Sequence, residues 1–130
     1  MSKGFFLVFE GIDKCGKSTQ AQLLQRYLEQ RGASVLPTRE PGGTELGEKI
    51  RDLLLHSKGF VENRAELLLY EASRAQHMAE KVLPALNSGK LVVSDRFFLA
   101  TLAYQGIGRG LAIAEIDRLN KYASFNRAPD

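Results

Sequence analysis

Short, wholly apolar segments alternate with amphipathic ones along this chain. Residues 5–9 are apolar at every position, which predicts a parallel strand covered on both faces. Residues 33–36 predict a second strand closed by Pro37, and residues 91–95 predict a third that ends in Asp95. Periodicity and turn residues predict helices over 18–31, 44–55, 61–86 (kinked or restarted near Pro84) and 112–123, and loops over 38–44 and 106–110.

This order of elements predicts the fold class. Strands that alternate with helices indicate an α/β domain with a parallel sheet and flanking helices. Right-handed crossovers place the loops that follow the strands at one edge of the sheet, where ligands bind. We therefore expect one domain over residues 1–130, with its candidate site residues gathered at the carboxyl ends of the strands.

Composition narrows the class of protein. The 130 residues include 44% hydrophobic residues and carry a formal net charge of only +3, which excludes disorder as the general state. No apolar run approaches the roughly 18 residues that span a membrane. The single cysteine, Cys15, cannot form an intramolecular disulfide and fits a reducing compartment, so we expect a cytoplasmic protein without a membrane partner. Its Lys and Arg residues are not clustered, which argues against a nucleic-acid partner and for a small anionic ligand.

The first candidate site is a phosphate-binding loop. Gly11-Ile-Asp-Lys-Cys-Gly-Lys-Ser18 matches G-x-x-x-x-G-K-[ST], and it follows a predicted strand and opens a predicted helix. Backbone N–H groups and the helix N-terminus of such a loop bind phosphates, Lys17 reaches the outer ones, and Ser18 binds Mg²⁺. Asp95 would hold the metal, partly through water. We expect ATP to contact Gly11, Ile12, Asp13, Lys14, Cys15, Gly16, Lys17, Ser18 and Thr19.

A phosphate-binding loop of this kind occurs in two classes of protein, GTPases and kinases for small phosphorylated acceptors. A GTPase needs Asn-Lys-x-Asp and Asp-x-x-Gly, but Asn120-Lys-Tyr-Ala123 has Ala123 in place of the Asp, and Asp95-Arg-Phe-Phe98 has Phe98 in place of the Gly. A kinase for a small phosphorylated acceptor needs a second anion site that faces the first. Candidates for that site are Arg39, Arg51, Arg74 and Arg96.

The sequence resembles the thymidylate kinase family of P-loop nucleoside monophosphate kinases. Five segments carry the resemblance, in the family's order: Phe9–Gln20, Thr38-Arg-Glu-Pro-Gly-Gly-Thr44, Lys49-Ile-Arg51, Leu68–His77, and Asp95-Arg-Phe through Ala103-Tyr-Gln-Gly106. The resemblance implies transfer of phosphate from ATP, with Mg²⁺, to thymidine monophosphate in dTTP biosynthesis. It also implies a homodimer at full length.

The family resemblance implies roles for five residues at the nucleoside end of the acceptor. Tyr70 stands where an aromatic side chain, usually Phe, stacks on thymine. Arg74, one helical turn later, would donate a hydrogen bond to a thymine carbonyl. Thr101 and Gln105 match positions that contact the base, and Tyr104 matches a tyrosine packed near the sugar C2′.

A second set of roles concerns the acceptor phosphate. Arg39, Arg51 and Arg96 match arginines that grip it. Asp13 matches an acidic residue that faces the acceptor nucleotide, and Glu40 matches an acidic neighbour of the metal and the acceptor.

The residues expected to be catalytic are Lys14, Lys17, Asp95 and Arg96. Lys17 and the metal would hold the donor phosphates, and Lys14, a cation inside the loop, would stabilise the moving phosphoryl group. One departure from the family pattern is Ala100, which stands where many members have Ser.

Length sets a further expectation. Family members run to about 200 residues, so the resemblance implies an N-terminal portion with three of the usual five strands, without the lid, the fourth and fifth strands and the last helix. On this interpretation the 130-residue chain alone would be poorly soluble or self-associated, with little or no kinase activity. The alternatives are a kinase for another small nucleoside or nucleotide and an inactive nucleotide-binding fragment.

Overall fold

The structure, a computed structural model, describes residues 3–130. Within these residues the sheet has three parallel strands, β1 (Phe5–Phe9), β2 (Val35–Arg39) and β3 (Leu91–Asp95), in the order β1-β3-β2. The strand register pairs Phe9 and Arg39 with Asp95, so the three carboxyl ends lie in one row. The parallel α/β class is therefore confirmed, and the loops that follow the strands meet at one edge.

Six α-helices and two π-helical segments accompany this sheet in the described part of the chain. One π segment, Met78–Val82, joins α3 (Asn63–His77) to α4 (Leu83–Asn87). The other, Leu102–Gly108, continues α5 (Phe98–Thr101). Helix α2 (Glu45–His56) begins after Thr44 because the Thr44 hydroxyl accepts a hydrogen bond from the Gly47 N–H. The helices are α1 (Lys17–Glu29), α2 (Glu45–His56), α3 (Asn63–His77), α4 (Leu83–Asn87), α5 (Phe98–Thr101) and α6 (Ile113–Ala123).

Two predictions of local structure were wrong. Pro37 does not close β2 but lies inside it, paired with Val93. Among the described residues β2 is an edge strand. On its outer side, therefore, no neighbouring strand needs a hydrogen bond from the N–H that proline lacks. By contrast, the predicted restart of the helix over 61–86 near Pro84 is confirmed: a π segment separates α3 from α4, and α4 begins at Leu83, next to Pro84, which cannot donate a hydrogen bond.

The second error concerns residues 106–110, which were expected to form a loop. Gly106 is instead buried in the π-helical continuation of α5. A Cβ atom at Gly106 would lie 3.2 Å from Ile116 Cδ1, so the missing side chain lets this segment pack closely on α6.

The core supports the functional edge of the sheet. Phe6, Met78, Val82, Val92 and Phe97 are fully or almost fully buried and pack between the sheet and the segment that joins α3 to α4. The rings of Phe6 and Phe97 meet edge to face with centroids 5.0 Å apart. Because Phe97 directly precedes α5, this contact fixes the start of α5 on the sheet.

At the outer edge of β1 the backbone is also paired. Asp130 donates its N–H to Phe6 O at 2.9 Å, and its carboxylate accepts the Phe6 N–H at 2.9 Å. Over residues 3–130, none of the helices combines the length and the apolar character that a bilayer crossing requires.

Candidate active site

The loop before α1 presents free backbone donors. Gly16, with a φ of 94°, is the N-cap of α1, and no side chain caps the first turn of that helix. The first turn also lacks an acidic residue. Unpaired N–H groups at a helix start, together with the helix dipole, form an anion-binding site. Lys14 is exposed, with a φ of 61°.

Lys17, Ser18 and Asp95 meet beneath this loop. The Lys17 ammonium lies 4.0 Å from a carboxylate oxygen of Asp13 and 4.0 Å from one of Asp95. The Ser18 hydroxyl donates a hydrogen bond to the other oxygen of Asp95. Hydroxyl and carboxylate oxygens are ligands that Mg²⁺ prefers. Over residues 3–130, no group of three or more His, Cys, Asp or Glu side chains is arranged so that it could hold a metal ion.

A second cleft lies beside the loop. Helix α3 contributes Tyr70 and Arg74 from successive turns, and α5 with its π-helical continuation contributes the opposite wall. The structure thus gathers the residues that were predicted to contact a base. The cleft is lined by Glu40, Pro41, Tyr70, Arg74, Arg96, Phe97, Ala100, Thr101, Tyr104 and Gln105.

Arg96 connects the loop to the cleft. Its backbone has a φ of 70° and is held by a hydrogen bond of 2.9 Å from Arg96 N–H to Phe9 O and one of 2.8 Å from Ser94 Oγ to Arg96 O. Arg96 Nη2 donates to Asp13 Oδ1 at 2.5 Å, and its Cζ lies 5.5 Å from the centroid of the Tyr104 ring. Its buried Nε has no partner within residues 3–130, which leaves a donor for an anion.

Arg39 and Arg51 surround the loop that follows β2 rather than line the base cleft. Arg39 donates to Glu48 at 2.9 Å and is half exposed, and Arg51 donates to Pro41 O at 2.9 Å. The Gly43 N–H and the Arg39 guanidinium both hydrogen-bond to the Glu48 carboxylate and hold its pKa below the ordinary value. Arg39 also lines a wider cleft together with Ser18 and Asp95, so it lies near the metal-binding candidates.

Glu40 lies in a buried network of hydrogen bonds. It is buried, one carboxylate oxygen accepts a hydrogen bond from Arg74 Nε at 2.8 Å, and the other pairs with His77 Nδ1 at 2.8 Å. His77 Nε2 pairs in turn with Thr38 Oγ1 at 2.6 Å. Glu40 lines the base cleft, but both of its oxygens bind protein groups.

Sequence reasoning missed several residues that build the site. Glu10 accepts the Phe97 N–H at 2.9 Å, and burial raises its pKa against the opposing effect of that bond. Its position directly after a buried strand could have marked it as a site residue. Glu71 and Asn120 both bind Arg74. Asn120 lies on α6 and belongs to no motif, so no local signal marked it.

Comparisons with known proteins agree with this geometry. The family model described as thymidylate kinase matches residues 9–130. The chain is 48% identical over 128 residues to the thymidylate kinases of Thermoanaerobacter sp. (strain X514) and Thermoanaerobacter pseudethanolicus (strain ATCC 33223 / 39E), covering 98% of this chain. It spans 63% of the length of each of these relatives.

A solved structure gives the same result. The crystal structure of thymidylate kinase from Ehrlichia chaffeensis superimposes with a TM-score of 0.93 at 42% sequence identity. The match covers 98% of this chain and 72% of that one.

Proposed function

The chain belongs to the thymidylate kinase family, and from this premise we propose that the protein transfers the terminal phosphate of ATP to thymidine monophosphate. The observation that carries the proposal is the pairing of Arg96 with Asp13, which sets the anion-binding loop directly against the base cleft. A donor site and an acceptor site in contact are what transfer between two bound nucleotides requires. The residues at positions 3–130 supply both sites and form one catalytic domain.

The donor side consists of the backbone N–H groups before α1 and the Lys17 ammonium. The Lys17 side chain is nine-tenths buried and lies between two carboxylates, so it is preorganised beside the phosphates. Ser18 and Asp95 would hold Mg²⁺, which supplies neutralisation of phosphate charge when bound.

The acceptor side divides into a phosphate part and a base part. Arg96 offers its Nε to the acceptor phosphate, and Arg39 and Arg51 add positive charge at the adjacent loop. Tyr70 provides an aromatic face in the cleft, and Arg74 provides a donor at the cleft floor. A donor at that point favours thymine, which presents a carbonyl where cytosine presents an amine.

Lys14 would act on the moving phosphoryl group. It is exposed on the loop that presents the free N–H groups. Lys14→Ala should lower kcat by more than about tenfold with little change in nucleotide binding, because the contact forms mainly in the transition state. Lys14→Arg is the charge-preserving control.

We infer that the protein forms a homodimer at full length, and exposed apolar side chains on and near α2 and α3 support this. Leu46, Leu53 and Leu68 are each about half exposed, and Phe60, just before α3, is 93% exposed. A second copy of the protein would remove these side chains from water. Light scattering of the protein should give twice the monomer mass. The scattered basic residues and the single cysteine support a cytoplasmic protein with no nucleic-acid partner.

Phosphorus NMR tests the proposed reaction directly. The protein is mixed with ATP, Mg²⁺ and thymidine monophosphate, and the two phosphate signals of thymidine diphosphate should grow as those of ADP appear. Thymidine, which lacks the acceptor phosphate, should give little product, since Arg96 then has no anion to bind. Equal phosphorylation of thymidine and its monophosphate would contradict the assignment of the arginines.

A further inference from the structure

Most of the N–H donors of the Arg74 guanidinium bind groups in the protein interior. The residue is 2% exposed, and a guanidinium carries five N–H donors. Nε donates to Glu40 at 2.8 Å, Nη1 to Glu71 at 3.1 Å and to Asn120 at 2.5 Å, and Nη2 to Thr101 at 2.9 Å. One N–H, on Nη2, is therefore left for the cleft that Arg74 and Thr101 both line.

These four partners belong to four different parts of the fold. Glu40 follows β2, Glu71 lies on α3, Thr101 ends α5 and Asn120 lies on α6. The Phe97 ring adds a contact to the guanidinium, with 5.2 Å between Arg74 Cζ and the ring centroid. A planar group held at all three nitrogens cannot turn about its bonds without breaking a buried hydrogen bond.

We propose that Asn120 and Glu71 are positioning residues that hold Arg74 so that it presents a single donor to the base, and so set the preference for thymine over cytosine. The selectivity part of this inference rests on the proposed function. Together these two residues occupy both N–H groups of Nη1. Without either one, Nη1 keeps an unpaired buried N–H, and the guanidinium regains a partner only by moving the Nη2 donor away from its place in the cleft.

The chemistry of Asn120 fits this role. Its oxygen must face Arg74, because the reverse orientation would set an NH₂ group against a cation. Two carboxylates, from Glu40 and Glu71, already neighbour the guanidinium, and burial raises the pKa of Glu71. A neutral amide therefore completes the set without a third negative charge. Asn120 Nδ2 and Glu71 Oε1 have no partners within the described range, so neither serves a competing bond.

The experiment compares four forms of the protein. Asn120→Leu removes the acceptor, Asn120→Gln keeps an uncharged amide oxygen, and Ile116→Ala weakens the packing of α6 one turn earlier. The ratio of kcat/KM for thymidine monophosphate to that for cytidine monophosphate should fall by about tenfold in Asn120→Leu. It should stay within about twofold of the parent ratio in Asn120→Gln and Ile116→Ala. A purely structural role would leave the ratio unchanged in all three variants.

An NMR measurement without nucleotide separates this inference from the proposed reaction. The guanidinium signals of Arg74, assigned by their loss in Arg74→Lys, should show slow rotation in the parent and in Ile116→Ala, and averaged Nη signals in Asn120→Leu. Asn120→Ser repeats the test if Asn120→Leu does not fold. Averaged signals in the parent, or slow rotation that survives removal of the acceptor, would overturn the inference. Slow rotation that Asn120→Leu abolishes, in a protein that does not prefer thymidine monophosphate, would support the positioning and refute the proposed function.

Discussion

Arg96 donates a hydrogen bond of 2.5 Å to Asp13, which lies 83 positions earlier in the sequence. Arg96 follows β3 and Asp13 follows β1, and these strands are neighbours in the sheet. The bond therefore ties the phosphate-binding loop to the wall of the base cleft. The backbone of Arg96 has a positive φ of 70°, a strained conformation for a residue other than glycine, at the position where this bond forms.

Replacement of Arg96 by Lys should separate its role in binding from any role in folding. Arg96→Lys keeps one charge but loses the planar set of donors, so kcat/KM for thymidine monophosphate should fall by about tenfold or more. Stability should change by less than about 1 kcal/mol, since Asp13 is largely exposed. Arg118→Lys, on an exposed pair with Glu115, is the control, and equal kinetic losses in both variants would argue against the assigned role.

Truncation of Arg74 should damage the fold as well as the site. Arg74→Ala leaves Glu40 and Glu71 buried without their cation, which should cost about 3–5 kcal/mol of unfolding free energy. Denaturant titration of Arg74→Ala and Arg74→Lys measures this loss, which the retained charge of Lys should reduce. If Arg74→Ala unfolds with the stability of the parent, the buried ion pairs do not support the fold as described.

The pKa of Glu10 predicts a pH dependence of stability. Burial raises this pKa above its ordinary value of 4.5, so the folded state binds the Glu10 proton more tightly than the unfolded state does. The resulting stabilisation is present below pH 4.5 and is lost as the pH rises through the higher, folded-state pKa. Between about pH 4 and pH 7, the parent should therefore lose stability relative to Glu10→Gln. Parallel curves for the two proteins would contradict the shift, and Glu29→Gln, at an exposed site, serves as the control.

Two glycines with similar backbones form a matched pair. Gly43 has a φ of 84° and Gly32 one of 81°, so an alanine pays a similar conformational cost at each. A Cβ on Gly43 would lie 2.8 Å from His77 Cδ2, whereas one on Gly32 meets no atom within 4 Å. Gly43→Ala should therefore destabilise the protein by about 1–3 kcal/mol more than Gly32→Ala in thermal or denaturant unfolding. Equal losses would mean that the loop after β2 is not packed against α3.

The sequence was informative where chemistry is encoded locally. Residues 5–9 and 91–95 formed the predicted strands, and Tyr70 and Arg74 share the face of α3 that helical spacing requires. The predicted strand end at Pro37 and the predicted loop at Gly106 were wrong. A proline is tolerated in an edge strand, and a glycine can allow close helix packing. Both outcomes depend on neighbours that are distant in sequence.

The interior of the site was beyond sequence reasoning for the same reason. Arg74 would be solvated on an isolated helix, yet Glu40 and Asn120, 34 and 46 positions away, bury it. A charged residue gains such partners only when the sheet order is fixed. The roles assigned to all of the site residues, Lys14, Arg39 and Arg51 among them, stay predictions.

The most direct test of the account is ADP release measured with one phosphate acceptor at a time. Thymidine, cytidine and uridine monophosphates and thymidine itself are each supplied with ATP and Mg²⁺, and kcat/KM is determined. The account predicts the highest value for thymidine monophosphate, a value at least about tenfold lower for cytidine monophosphate, and near-background release with thymidine. Equal values for the thymine and cytosine nucleotides, or faster turnover of thymidine than of its monophosphate, would contradict it.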